Sequence, residues 1–142
     1  MNLYILPDGC SMPEPELQAE HQALIDLLNR GLEAVGVIPE PEVEMLLSML
    51  EELRGLLGAH FAHEERVMAR CRFPGLAAHS LHHDLCAARL DRLGEMLLAG
   101  RLKPNRFLLD EMFDLILDDL IRADGAFKSF LERSDVSIRT EI

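Results

Sequence analysis

Tryptophan is absent from this chain, tyrosine occurs once and phenylalanine six times. With so few aromatics, and with leucine and methionine prominent in an apolar share of 49%, the composition lacks the Val, Ile, Tyr and Thr enrichment of sheets. The class expected is all-α. The three cysteines, Cys10, Cys71 and Cys86, are an odd number without CxxC spacing, which argues against a disulfide framework or a zinc knuckle and suits a reducing compartment. Basic residues are scarce: 14 Lys and Arg stand against 25 Asp and Glu, a formal net charge of -11. Such a chain repels phosphate backbones and anionic lipid, so nucleic acid and membrane are poor partners, whereas a cation suits it. No basic stretch followed by an apolar segment opens the sequence, and its apolar runs fall far short of a membrane span. A soluble, cytoplasmic protein is expected. Its 142 residues suffice for one core but not for two with a linker, so residues 1–142 are read as a single domain.

What the chain does contain is four stretches of helical periodicity. Residues 1–13 carry Pro7, Gly9 and Pro13 without sustained pattern and read as an N-terminal arm laid on the rest. A first segment, about 14–34, aligns Leu17, His21, Leu24, Leu28 and Leu32, and stops at Gly36, Pro39 and Pro41. A second, about 42–70, aligns Leu46, Leu50, Leu53, Leu57, His60, Glu64 and Val67 in 3-4 alternation. Arg72, Phe73, Pro74 and Gly75 turn the chain into a third, about 76–99, which aligns Leu76, His79, His83, Cys86, Leu90, Leu93 and Leu97 and ends at Gly100. The fourth, about 105–132, follows Pro104 with Leu109, Met112, Ile116, Asp119, Ala123, Phe127 and Phe130 in register. Short connections make neighbours antiparallel, so the architecture expected is an up-down-up-down four-helix bundle.

The stripes are interrupted by residues that do not belong in an apolar core. His21, His60, Glu64, His79, His83 and Asp119 occupy positions otherwise filled by Leu, Met, Ile or Phe. A buried carboxylate without a partner is strongly disfavoured, and the arginines and lysines fall mostly on outward faces. A single inward histidine is compatible with ordinary core packing. Four of them with carboxylates, spread over all four helices, point instead to a metal. His63 and His82 lie off the stripes and read as solvated surface. Phe61 and Met68 read as packing, and Cys86, one turn beyond His83, as a small buried apolar residue.

Spacing supports convergence, because residues four apart on a helix lie one above the other. His60 with Glu64 and His79 with His83 are such pairs, and His21 adds an imidazole from a third helix. Asp119 and Asp124 on the fourth are five apart, roughly 140° around a regular helix. They converge only if that turn is widened, as a π-type turn would do. Mixed imidazole and carboxylate donors suit iron, manganese or zinc rather than calcium or copper(I). Seven candidates exceed the four of a zinc site, while two octahedral ions bridged by carboxylates absorb them.

The strings HFAHEERVM and FPGLAAHSLHH resemble the bacterial hemerythrin signature HFxxEExxM…YPxxxxHxxxH, with Phe73 where tyrosine is usual, and HQALIDLLN resembles the family's HxxLxxxxN. The resemblance covers roughly residues 17–130. It implies a non-haem site of two iron ions, Fe2+ or Fe3+, joined by an oxo or hydroxo bridge, with Glu64 and Asp124 as bridging carboxylates. His21 and His60 would hold the iron that accepts dioxygen, and His79 and His83 the other. Dioxygen, nitric oxide or another small diatomic molecule is the partner implied, and no protein partner is legible.

One segment departs from the family pattern. Where members carry HIxxxD, this chain reads DLIRAD, so Asp119 stands at the position of a third imidazole on the second iron while Asp124 is retained. The tryptophans common in the family are missing, and Cys86 falls where a pocket phenylalanine is usual. An added negative charge stabilises Fe(III) over Fe(II), which suits oxygen sensing or oxidase and peroxidase chemistry better than reversible carriage. The expectation is a protein that binds or senses dioxygen or nitric oxide. The rivals are a carboxylate-rich di-iron enzyme reacting irreversibly with dioxygen or peroxide, and a degenerate bundle with partial or no metal.

Overall fold

The computed structural model describes residues 4–5, 15–37, 43–118 and 124–141, with side chains described to residue 35 in the first helix and to 133 in the last. Every regular element among them is helical: α1 (Pro15–Val37), α2 (Val43–Arg70), α3 (Leu76–Leu98), α4 (Arg106–Asp118) and α5 (Asp124–Glu141). The first helix thus runs past the expected stop near residue 34. The fourth periodic segment is represented by α4 and α5, on either side of residues 119–123. Asp119 and the widened turn expected beside it fall outside the described residues.

α1 packs on α2 and α4, and α3 packs on α2 and α4, so the four form a closed ring of antiparallel neighbours. The α2–α3 connection is tight because two backbone bonds close it. Phe73 N donates to Met68 O at 2.9 Å and Arg72 N to Ala69 O at 3.2 Å, the crossed pair of a Schellman ending. That geometry needs a left-handed residue, and Arg72 supplies it at φ 56°. The α3 ending repeats the pattern, with Arg101 N to Met96 O at 2.8 Å and Gly100 N to Leu97 O at 3.1 Å. Here the left-handed position is Gly100, at φ 76°, and it acts as the stop expected of it.

At the far end of the bundle Tyr4 bridges α1 and α4. Its backbone exchanges two bonds with the Asn29 amide, at 2.7 and 2.9 Å. Its hydroxyl donates to Asp110 at 2.5 Å, and its ring stacks on Phe113 at 4.4 Å. This contact ties one point of the N-terminal arm to the helices; the rest of the arm lies outside the described residues.

The apolar core comes in two pieces. The larger gathers Leu24, Leu28, Leu53, Leu57, Phe61, Leu90, Met112 and Ile116 among others. The smaller holds Leu17, Val67, Met68 and Phe127. The buried residues between the two pieces are polar: His21 lies between Leu17 and Leu24, and Glu64 between Phe61 and Val67. His79 and His83 follow Leu76, and Asp124 precedes Phe127. A band of ionisable side chains therefore cuts across a core that is otherwise hydrocarbon.

Candidate metal centre

His21, His60, Glu64, His79, His83 and Asp124 are all at least 95% buried, as their places on the apolar stripes require. The structure brings these six sequence-predicted residues together; the seventh, Asp119, lies outside the described residues. Helical spacing does the local work, since His60 with Glu64 and His79 with His83 each stack one turn apart on a single helix. α1 and α5 complete the group with His21 and Asp124, whose Nε2 and Oδ2 lie 3.3 Å apart.

The two carboxylates divide their oxygens. Glu64 turns Oε1 to His79 Nε2 at 2.7 Å and His83 Nε2 at 3.1 Å, and Oε2 to His60 Nε2 at 3.5 Å. Asp124 places Oδ1 2.9 Å from His79 Nε2 and Oδ2 3.3 Å from His21 Nε2. The outcome is two overlapping donor groups, His21, His60, Glu64, Asp124 and Glu64, His79, His83, Asp124, in each of which the donor atoms lie within 4.8 Å of one another. Each group has two imidazoles of its own, and the two share both carboxylates.

Several of these atoms lack the partners that burial demands. Both ring nitrogens of His21, His60 Nε2, Glu64 Oε2 and both Asp124 oxygens are buried without a hydrogen bond among the described residues. Unpaired buried polar atoms are strongly disfavoured and concentrate where a ligand or ion belongs. The donor set therefore fits cations, and cations held between imidazole nitrogens and shared carboxylates would satisfy one nitrogen of each ring and the unpaired oxygens of Glu64 and Asp124 together.

Protons compete for the same positions. Burial by itself would raise the Glu64 carboxyl, but the imidazoles of His79 and His83 against it prevail and hold it well below the usual carboxylate range. Burial likewise works against a charged His79, yet the carboxylates of Asp124 and Glu64 outweigh it and lift the ring to about 10. His60 moves the other way, because burial is the larger influence there and keeps its imidazole below the ordinary value. The His79 position is thus occupied by a proton at neutral pH, whereas His60 presents a neutral donor.

Behind the imidazoles stand carboxylates that the sequence reading missed. His60 Nδ1 donates to Glu20 Oε1 at 2.7 Å, and His83 Nδ1 to Glu65 Oε2 at 3.1 Å. His63, expected on the solvated surface, is instead half-buried, with Nδ1 2.7 Å from Glu20 Oε2. His82 is also half-buried. The available signal was adjacency: Glu20 precedes His21 and Glu65 follows Glu64, and a carboxylate beside a ligand-type residue often backs a ring on the facing helix. Phe61 stacks on His83 at 3.8 Å, and Phe127 and Phe73 close the other end against His79. A cleft of about 410 Å³, lined in part by Ala78, His79, His82, Asp118 and Ala126, reaches the His79 edge of the group.

Comparison with known proteins agrees with this geometry. Residues 12–125 match the hemerythrin HHE cation-binding domain, a stretch that contains all six buried donors. The chain belongs to the hemerythrin HHE cation-binding family. Two solved structures have the same fold, one titled a hemerythrin with a leucine-to-alanine substitution and the other a leucine-to-phenylalanine mutant. Each is 18% identical, with a TM-score of 0.76 over 92% of this chain and 98% of the other. No curated protein matches the chain. The helices pack antiparallel, as in the hemerythrin four-helix bundle. No helix among the described residues is long and apolar enough to cross a membrane.

Proposed function

We propose that this hemerythrin-family protein holds two iron ions side by side and uses them to bind or sense dioxygen or nitric oxide. The observation that carries the reading is the division of Glu64 and Asp124, each of which directs one oxygen to either donor group. A single ion would leave half of those buried oxygens unsatisfied. Asp119, from its place in the family pattern, completes the position of His79 and His83. When bound, the iron pair supplies the electrons and the open coordination position that a diatomic molecule requires.

The chain's own residues set the conditions for that chemistry. Glu64 and Asp124 hold the two positions at a common distance, and Glu20 and Glu65 aim the rings of His60 and His83. His79 would have to give up its proton to serve as a ligand, so cation uptake would be coupled to proton release. Phe61, Phe127 and the leucines on either side exclude bulk water, and among the described residues a cleft brings solvent to the His79 edge of the group.

A second reading is a carboxylate-rich enzyme that reduces dioxygen or peroxide irreversibly. It is favoured by the sequence change to Asp119, which puts a carboxylate where the family pattern has a third imidazole. The first experiment is metal analysis after anaerobic iron loading, with close to two iron ions per chain expected. Fewer than one would sink the two-iron reading. The loaded protein is then exposed to air and returned to vacuum. Spectral changes that reverse support binding or sensing, and direct passage to a stable oxidised form supports the enzyme.

A further inference from the structure

Resting on the two-cation reading, we infer that His63 is a positioning residue for the cation position of His21 and His60, acting through Glu20. The Glu20 carboxylate on α1 is shared by two imidazoles of α2. Oε1 accepts from His60 Nδ1 and Oε2 from His63 Nδ1, both at 2.7 Å. Carboxylate oxygens only accept, so both Nδ1 atoms carry hydrogen. His60 is thereby turned with Nε2 toward the core, where that atom faces Glu64 Oε2 and has no hydrogen bond among the described residues.

A glutamate in this place would not hold a ring firmly by itself. The Glu20 side chain is 34% exposed, and a carboxylate held at one oxygen can rotate its other oxygen into water. His63 occupies that second oxygen. It can do so because residues 60 and 63 lie about one turn apart and flank the same point of α1. The His63 ring is itself bracketed, with Nε2 3.5 Å from Glu16 Oε2, one turn before Glu20. At 14% side-chain exposure it is largely withdrawn from solvent. Among the described residues the contacts run from Glu16 through His63 and Glu20 to His60, which belongs to one of the two donor groups. The other group is served separately by Glu65 behind His83.

Carboxylates behind metal-bound histidines typically change affinity by about 10–100-fold. His63 acts one step further out, so roughly a 3–10-fold loss is expected from its removal, confined to one of two cations. The test uses cobalt(II) as the probe, titrated into the whole chain against a competing chelator, with proton NMR of the hyperfine-shifted imidazole N–H signals. His63→Leu should weaken one binding step, leave the other unchanged, and speed solvent exchange of one N–H signal. His63→Gln keeps an amide donor for Glu20 and should restore both readouts. Glu20→Gln should weaken the same step more strongly, and Glu65→Gln the other step. Helicity and unfolding of the metal-free variants check that each folds, and Glu20→Gln decides the matter if His63→Leu does not.

Wild-type affinities in His63→Leu, equal losses at both steps, or no recovery in His63→Gln would overturn the inference while leaving the two-cation reading intact. Failure of the unaltered protein to take up two cobalt ions would overturn both.

Discussion

His79 shows how one side chain connects stability to metal uptake. In the metal-free protein its ring is held protonated to about 10 by Asp124 and Glu64, against an ordinary value of 6.5. A raised folded-state value means that the stabilisation is fully present below about 6.5 and is lost as pH rises toward 10. Glu64 has the opposite sign: its depressed carboxyl stabilises the fold above its ordinary 4.5, and that contribution disappears as pH falls below it. The two shifts describe one interaction and are not additive. Urea midpoints of the chelator-treated protein should therefore be highest between roughly pH 5 and 6.5, declining on both sides. Cation loading replaces the proton and should flatten the alkaline limb. A midpoint that rises steadily to pH 9 would contradict the pairing of His79 with these carboxylates.

Two substitutions test the donor set. Glu64→Ala removes oxygens from both groups at once, so iron retained after desalting should fall further than in His63→Ala, which leaves every inward atom in place. Equal losses would contradict the buried assignment of Glu64. On the proposed function, in which Asp119 completes the His79 and His83 position, Asp119→His would exchange an anionic for a neutral donor and should raise the reduction potential of the bound iron pair. Air oxidation of the anaerobically loaded protein should slow accordingly, by about tenfold for each 59 mV if the driving force is fully expressed in the rate. Identical oxidation rates at identical iron content would remove Asp119 from the site.

At the scale of elements, the α2–α3 turn carries a strained residue where a glycine would fit. Arg72 sits at φ 56° inside a Schellman ending, and non-glycine residues pay about 1–2 kcal/mol to enter that region. Part of the gain from glycine is cancelled by its greater entropy when unfolded. Arg72→Gly is expected to stabilise the protein by about 0.5–1 kcal/mol, read as a higher denaturation midpoint at unchanged slope. At Gly100, with φ 76°, the same reasoning runs in reverse, and Gly100→Ala should cost about 1 kcal/mol. These turns matter to the site because they set where α3 begins and ends, and hence the height at which His79 and His83 meet Glu64.

For the whole molecule, the polar band between the two apolar clusters makes folding and cation binding parts of one equilibrium. Six buried donors with several unpaired atoms weaken the metal-free core. A cation bound only by the folded chain, at a thousand times its dissociation constant, adds about 4 kcal/mol. For a chain of this size that corresponds to a rise in Tm of about 10 °C or more. Thermal unfolding with and without metal under anaerobic conditions measures it. No shift on loading would mean that the donors do not bind the ion in the folded state.

The sequence alone determined which residues face inward, because the helical repeat is local and needs no knowledge of neighbours. His21, His60, Glu64, His79 and His83 stood out as ionisable groups on apolar stripes, and burial agrees for each. Asp124 was off the stripe: spacing admitted it only with a widened turn after Asp119, the family resemblance then gave it a bridging role, and the structure buries it beside His21 and His79. What only the tertiary structure decided is how side chains from different helices meet. That Glu20 of α1 reaches both His60 and His63 of α2, that Glu65 backs His83, and that each shared carboxylate splits its oxygens follow from the rotation and axial offset of packed helices. Periodicity along one chain carries no information about those offsets, so His63 read as surface until α1 was set beside it.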